Sequence, residues 1–186
     1  MIVLLATASH TRTHLPLTRW KGIDVRVLPY HRVLTASRLP GATYIFADMD
    51  RLNFWDLELS ARLYRILAAA GMRVLNDPAA VQQRFALLRA LHAAGRNDFR
   101  AYRVEDQEPV ARYPVFLRTQ SAHRGALSDL LHDRDSVGRA VAAAVGEGIP
   151  RKELMLVEYC AEPIGGTLFR ELAVYRGGAS MVPSPA

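Results

Sequence analysis

Apolar and polar positions alternate along this chain in short blocks, and the blocks predict an ordered series of strands and helices. Ile2-Val3-Leu4-Leu5-Ala6 is a continuous apolar run, the signature of a strand covered on both faces. Polar residues at 7–13 break it. Ile23-Asp24-Val25-Arg26-Val27-Leu28-Pro29 alternates and stops at proline, which reads as a second strand. Pro40-Gly41 marks a turn, and Thr43-Tyr44-Ile45-Phe46 follows as a third. Asn53 is the expected N-cap of a helix whose apolar stripe is Leu57, Leu59, Leu63, Ile66 and Leu67, ending near Gly71. Arg73-Val74-Leu75 is a brief strand.

Asn76-Asp77-Pro78 is a helix-start signal, with Asp77 as cap and Pro78 in the first helical position. The spacing predicts a helix to Gly95, with Val81, Phe85, Leu88, Leu91 and Ala94 on one face. Tyr113-Pro114-Val115-Phe116-Leu117-Arg118 is an apolar strand ending in a charge, and Thr119-Gln120-Ser121-Ala122-His123-Arg124-Gly125 is the loop after it. A helix is expected to start after Asp135 and stop at 146–148, before a turn at Pro150. Strands at 154–159 and 168–175 complete the pattern, with Gly165-Gly166 as a hairpin-type turn between them. Strands alternating with helices predict an α/β protein whose first half holds a parallel sheet. Two lobes are expected, at 1–76 and 77–186.

Composition narrows the classes. Of 186 residues, 50% are hydrophobic and 23% charged, a globular balance rather than a disordered one. The net charge of +6 comes almost wholly from arginine, because the only lysines are Lys21 and Lys152. The arginines are scattered without a run of like charge, so a solvated surface explains them better than a nucleic-acid footprint. No nucleic-acid partner is expected. No apolar run approaches the ~20 residues needed to span a bilayer, and no basic segment precedes the apolar start, so no membrane partner and a cytoplasmic location are expected. The lone cysteine, Cys160, sits in an apolar run and is expected to be a buried thiol.

Several residues are candidates for chemistry. Arg118 at a strand end, with the loop containing Gly125 after it, would suit a phosphate. A phosphate needs fixed cations and N–H donors, and glycine permits close backbone approach. Glu158 at the end of the apolar Leu154-Met155-Leu156-Val157 run requires a partner or a water-lined cleft. Ribose, a metal ion or a neighbouring arginine would each serve. Arg170 stands beside Glu171, where a structural ion pair competes with a ligand role. Asp48 and Asp50 follow the third strand, where helix capping explains them better than cation binding. His10, Thr11, Arg12, Thr13 and His14 form a polar cluster after the first strand, without the acidic neighbours a metal site wants. No metal site is expected, and none of G-x-x-x-x-G-K-[ST], G-x-G-x-x-G, G-x-S-x-G or H-E-x-x-H occurs.

The order of a strand-end cation, a loop, a strand ending in Leu156-Val157-Glu158-Tyr159 and an arginine on the next strand resembles the ATP-grasp enzymes. The resemblance covers most of the chain and implies a fold, a small parallel-sheet α/β lobe followed by an incomplete ATP-grasp-like α+β lobe. The first lobe would be the one that in the family often helps bind an acid substrate. It implies ATP and magnesium as cofactors, and activation of a small carboxylate as an acyl phosphate for attack by an amine or thiol. It carries roles onto Arg84 and Arg118 as basic residues near the nucleotide, and onto Gly125 in the mobile loop. Glu158 and Tyr159 would form the hinge that holds adenine and ribose, and Arg170 the arginine of the following strand. Two positions depart from the pattern. Arg118 stands where the family usually has lysine, and the loop has a single glycine. In the family the metal-binding and catalytic strands come later than Ala186, so a truncated chain with little or no ligase activity alone is expected, its catalytic residues unknown. The exposed sheet edge of such a fragment would favour self-association into a homo-oligomer. The alternatives are a structural or regulatory α/β module that binds no nucleotide, and a sugar-nucleotide transferase fragment.

Overall fold

The computed structural model describes residues 1–121, 125–161, 163–165, 168–169, 172–177 and 180–185. The chain is α/β and forms two compact units, one built on Met1–Leu87 and the other on Leu88–Thr119 and the residues from 125 on.

In the first unit β1 (Ile2–Ala6), β2 (Val25–Pro29), β3 (Thr43–Phe46) and β4 (Val74–Leu75) form a parallel sheet in the order β2-β1-β3-β4. The continuous apolar run puts β1 at an inner position, where Val3, Leu4, Leu5 and Ala6 are all buried. Helices α2 (Tyr30–Leu34) and α3 (Phe54–Ala69) supply Tyr30, Val33 and Leu67 to a core with Val3, Leu5, Tyr44 and Phe46. The polar stretch after β1 is not a plain break. It winds through a 3-10 turn, a one-turn helix α1 (Thr11–His14) and a second 3-10 turn at Leu15–Arg19.

Asn53 caps α3 as expected, its side chain accepting from the Asp56 N–H at 2.9 Å. Gly71 closes the helix in the left-handed region at φ 77°, with the Met72 N–H bonded back to the Leu67 carbonyl. The core-facing side is narrower than expected. Ser60, Leu63, Tyr64 and Leu67 face the sheet, whereas Leu59 and Ile66 are exposed at 47% and 65%. The buried set falls at i, i+3, i+4 and i+7, a single stripe, and the other two lie off it.

The helix expected from Pro78 begins later. Asp77 caps only a 3-10 turn, Pro78–Ala80, accepting from the Ala79 N–H. Val81 is extended at ψ 134°, which stops that turn from propagating. The helix proper, α4, runs Arg84–Ala93.

In the second unit β5 (Ala101–Arg103), β6 (Val115–Thr119) and β7 (Leu154–Glu158) form an antiparallel sheet in the order β5-β7-β6. Helix α5 (Arg134–Gly146) starts slightly earlier than the spacing suggested. The reason is a capping box, in which the Asp133 carboxylate accepts from the Ser136 N–H and the Ser136 hydroxyl accepts from the Asp133 N–H. Val141 and Ala144 of α5 pack with Leu131 on Tyr102, Val115, Leu117, Leu154 and Leu156.

Beyond β7 lie β8 (Pro163–Gly165) paired with β9 (Leu168–Phe169), and β10 (Leu172–Gly177) paired with β11 (Ser180–Pro185). Both pairs are antiparallel. The expected strand at 168–175 corresponds to β9 and the start of β10, and residues 170–171 between them lie outside the described residues. Strand β11 carries Pro183 and Pro185, residues that argue against a strand unless it is an edge, and among the described residues β11 pairs with β10 alone. Cys160 corrects another expectation. It is an exposed free cysteine, because it follows the end of β7 where the chain has left the sheet.

Candidate functional site

The antiparallel register sorts β5, β7 and β6 into two faces, since directly paired residues share a face and successive residues alternate. Tyr102, Leu154, Leu156, Val115 and Leu117 lie on the face that packs against α5. The other face carries Ala101 paired with Val157, Val157 with Phe116, and Met155 flanked by Arg103 on β5 and Arg118 on β6.

This second face is graded. At one end the rings of Phe116 and Tyr159 meet edge-on, with centroids 5.7 Å apart and planes at 70°. Val157, Ala101 and Met155 form a buried apolar middle. At the other end stand two guanidinium side chains on strands either side of Met155, about 10 Å apart at the backbone. Arg118 was expected from the sequence as a phosphate-type cation. Its Nε is buried and has no hydrogen-bond partner among the described residues. A buried donor of a permanently charged group is costly to leave unmatched, so it is suited to an incoming anion. Arg103 was not singled out from the sequence. Its strand is only Ala101–Arg103, too short for a period-2 signal to stand out.

Glu158 is placed differently. The register pairs it with Val115, on the α5 side of the sheet and opposite to Arg118. Its side chain is 3% exposed. Oε1 accepts from the Tyr102 hydroxyl at 2.6 Å, and Oε2 accepts from the Arg100 N–H at 3.0 Å. Arg112 approaches Oε2 at 3.5 Å. The Tyr102 hydroxyl in turn accepts from the Ala111 N–H at 3.1 Å. Burial, and then the hydrogen bond to Glu158, hold the Tyr102 phenol above its ordinary pKa, so the proton stays on tyrosine and serves the carboxylate. Of the partners open to this carboxylate, the structure supplies an arginine, a tyrosine and a backbone amide. The backbone N–H groups of Glu158 and Tyr159 are also engaged, with the Arg100 and Pro114 carbonyls at 3.0 and 2.9 Å.

The remaining expected site residues are Arg84, Gly125 and Arg170. Arg84 opens α4 in the first unit, half-buried. Gly125 is exposed, and a Cβ added there would meet nothing within 4 Å, so local space does not require glycine. Residues His123, Arg124 and Arg170 lie outside the described residues.

A second polar constellation sits at the carboxyl edge of the parallel sheet, where β1 and β3 run side by side. In open α/β sheets this is where ligands gather. Asp48 follows β3 in the left-handed region at φ 53°. Contrary to the capping expectation, its side chain caps no helix. Instead Oδ2 accepts from the N–H and hydroxyl of Thr7 at 3.2 and 3.3 Å, and Oδ1 lies 3.5 Å from His14 Nε2. His10 Nδ1 lies 2.8 Å from both the Thr7 and Ser9 hydroxyls. The polar cluster after β1 thus does have an acidic neighbour, delivered from 41 residues away. Sequence spacing had no signal for it. Tyr30, at the end of β2, donates to the Ala47 carbonyl at 2.6 Å. Asn76, after β4, donates to the Phe46 carbonyl at 3.0 Å. Each strand of the sheet therefore contributes a polar residue to this edge.

Among the described residues no group of three His, Cys, Asp or Glu side chains could hold a metal ion, and no helix is long and apolar enough to cross a membrane. No protein-family model matches the chain, and no curated protein does. The chain is similar to a protein of known structure, the RimK domain protein ATP-grasp from Sphaerobacter thermophilus DSM 20745. The two are 19% identical with a TM-score of 0.47, and the match covers 88% of this chain and 64% of that one. This chain therefore spans less than two thirds of that structure's length.

Proposed function

We propose that the sheet face bearing Arg118 and Arg103 binds a nucleoside triphosphate, with its base toward Phe116 and Tyr159 and its phosphates toward the guanidiniums. The observation that carries this reading is the buried Arg118 Nε with no partner among the described residues. The order of chemistries along the face supports it, because a nucleotide is itself apolar at one end and anionic at the other. The sequence resemblance to ATP-grasp enzymes makes ATP the nucleotide. In that reading the chain, alone or within a longer protein, belongs to an ATP-dependent ligase that activates a small carboxylate for attack by an amine or thiol. Binding energy in such chemistry goes to positioning and to neutralising phosphate charge. Arginine performs that task with a rigid two-pronged fork where lysine offers a point charge. Magnesium remains what the resemblance implies. Among the described residues the carboxylates form no group that fits a metal ion.

Calorimetric titration with ATP and magnesium tests the proposal. Saturable binding is expected, weakened about tenfold or more in Arg118→Ala by loss of a charge-assisted hydrogen bond. Unchanged affinity in that variant, or no saturable binding by the intact chain, would overturn it. One observation favours a second reading, a structural or regulatory module that binds no nucleotide. The hinge groups expected to hold adenine and ribose, the Glu158 carboxylate and the Glu158 and Tyr159 amides, are already bonded within the protein. The same titration separates the two readings.

A further inference from the structure

Helix α3 is apolar on two sides. Its core side is Ser60, Leu63, Tyr64 and Leu67. On the side turned away from the sheet, Trp55, Glu58, Leu59, Arg62 and Ile66 follow one another at i, i+3, i+4, i+7 and i+11, a continuous stripe along about three turns of helix, roughly 16 Å. Phe54 extends the stripe at its N-terminal end. Phe54 and Trp55 are each 70% exposed, and their rings meet edge-on at 5.2 Å. Large aromatic side chains rarely stay this exposed side by side without a partner.

The stripe is built to match itself. Apolar residues lie at both ends, Phe54 and Trp55 at one and Ile66 at the other, with Leu59 and the oppositely charged Glu58 and Arg62 between them. A second helix laid antiparallel on the first, about an axis passing beside residues 60–61, sets Trp55 against the partner subunit's Ile66. It also brings Glu58 within one residue of the level of the partner subunit's Arg62, in reach of its long side chain. The pair that now closes within one helix, Glu58 with Arg62, becomes a four-membered network of alternating charge. A parallel arrangement would instead put glutamate beside glutamate and arginine beside arginine. We propose that α3 docks antiparallel on α3 of a second copy of this chain, in an isologous two-fold interface.

The area indicates a weak association. Four rings at 150–250 Å² apiece, 70% exposed, remove on the order of 500 Å² from water. That is about half of the ~1,000 Å² a specific interface needs, and Leu59 and Ile66 add to it. A dissociation constant in the micromolar range is therefore expected.

Sedimentation velocity of the intact chain across micromolar to millimolar concentration tests the interface. A monomer–dimer equilibrium is expected. Trp55→Glu should raise the dissociation constant at least about tenfold, because it replaces an aromatic anchor with a charge. Glu58→Arg and Arg62→Glu should each weaken the dimer, and the double exchange E58R/R62E should restore it, because each copy then again meets opposite charge. A chain that stays monomeric throughout overturns the proposal. So does a dimer indifferent to Trp55→Glu, or a double exchange no better than the singles. Concentration-dependent blue-shift of Trp55 emission in a Trp20→Phe background gives a second readout, without disturbing α3. Its absence where the chain sediments as a dimer would likewise refute the interface.

Discussion

Replacing Glu158 with alanine separates a structural hub from a ligand contact. In the folded protein the carboxylate is 3% exposed and satisfies the Tyr102 hydroxyl and the Arg100 amide. Alanine leaves both donors without an acceptor, at about 1–3 kcal/mol each when buried. The lost side-chain packing adds about 1 kcal/mol. Arg112 moderates the total. Its side chain is half-exposed, so its charge returns to water cheaply and the full cost of about 3–5 kcal/mol for breaking a buried ion pair is not reached. The expected destabilisation is about 3 kcal/mol. For a chain of this size that lowers the melting temperature by roughly 6–12 °C. Urea melts followed by far-UV circular dichroism should show a lower midpoint with an unchanged slope. Glu158→Gln preserves the shape and one acceptor oxygen, and should lose only about 1 kcal/mol. Tyr102→Phe combined with Glu158→Gln should be less than additive, since the two residues share one hydrogen bond. A Glu158→Ala chain within about 0.5 kcal/mol of the parent would refute the hub. If the same chain bound ATP more weakly, the carboxylate would belong to the ribose after all.

Three further outcomes follow from named contacts. Asn53→Ala removes the acceptor for the Asp56 N–H and should cost about 1 kcal/mol in chemical denaturation, whereas Asn53→Asp should cost little; equal losses would disprove the cap. Burial, and then the neighbouring Asp48 charge, push the Tyr30 phenol above its ordinary range. Above pH about 10 the unfolded chain loses this proton and the folded chain keeps it, so stability falls with rising pH by about 1.4 kcal/mol per unit for this group. Tyr30→Phe should flatten that decline, and parallel stability profiles from pH 9 to pH 12 would contradict the assignment. Gly125→Ala should leave the melting temperature unchanged, because the added methyl meets open space and the residue is not left-handed; a large drop would show a backbone requirement.

The parallel and antiparallel halves were legible to different degrees. The apolar block of β1 announces itself because burial on both faces demands an unbroken apolar run, whereas the Pro-terminated β2 and Thr43–Phe46 announce themselves by alternation. The Asn53 cap and the Gly71 stop are equally local, each decided by bonds within a few residues. The start of α4 was misread because Asp77-Pro78 satisfies a helix-start rule that a 3-10 turn satisfies equally well. Cys160 was misread because an apolar neighbourhood in sequence says nothing about where the sheet ends.

Periodicity and capping, which act over one or two turns, were enough to establish an α/β chain and to mark Arg118 and Glu158 as unusual. Which face each residue occupies was decided only by the pairing of β5, β7 and β6, strands separated by up to some fifty residues of chain. That register sends Arg118 to the face with Arg103 and Phe116, and turns Glu158 inward to Tyr102, Arg100 and Arg112. The same holds for Asp48, whose partners Thr7 and His14 come from the neighbouring strand's loop. A side chain's type is written in the chain, but its partner is set by which distant backbone segments hydrogen-bond in register, and a shift of one residue would reverse every face.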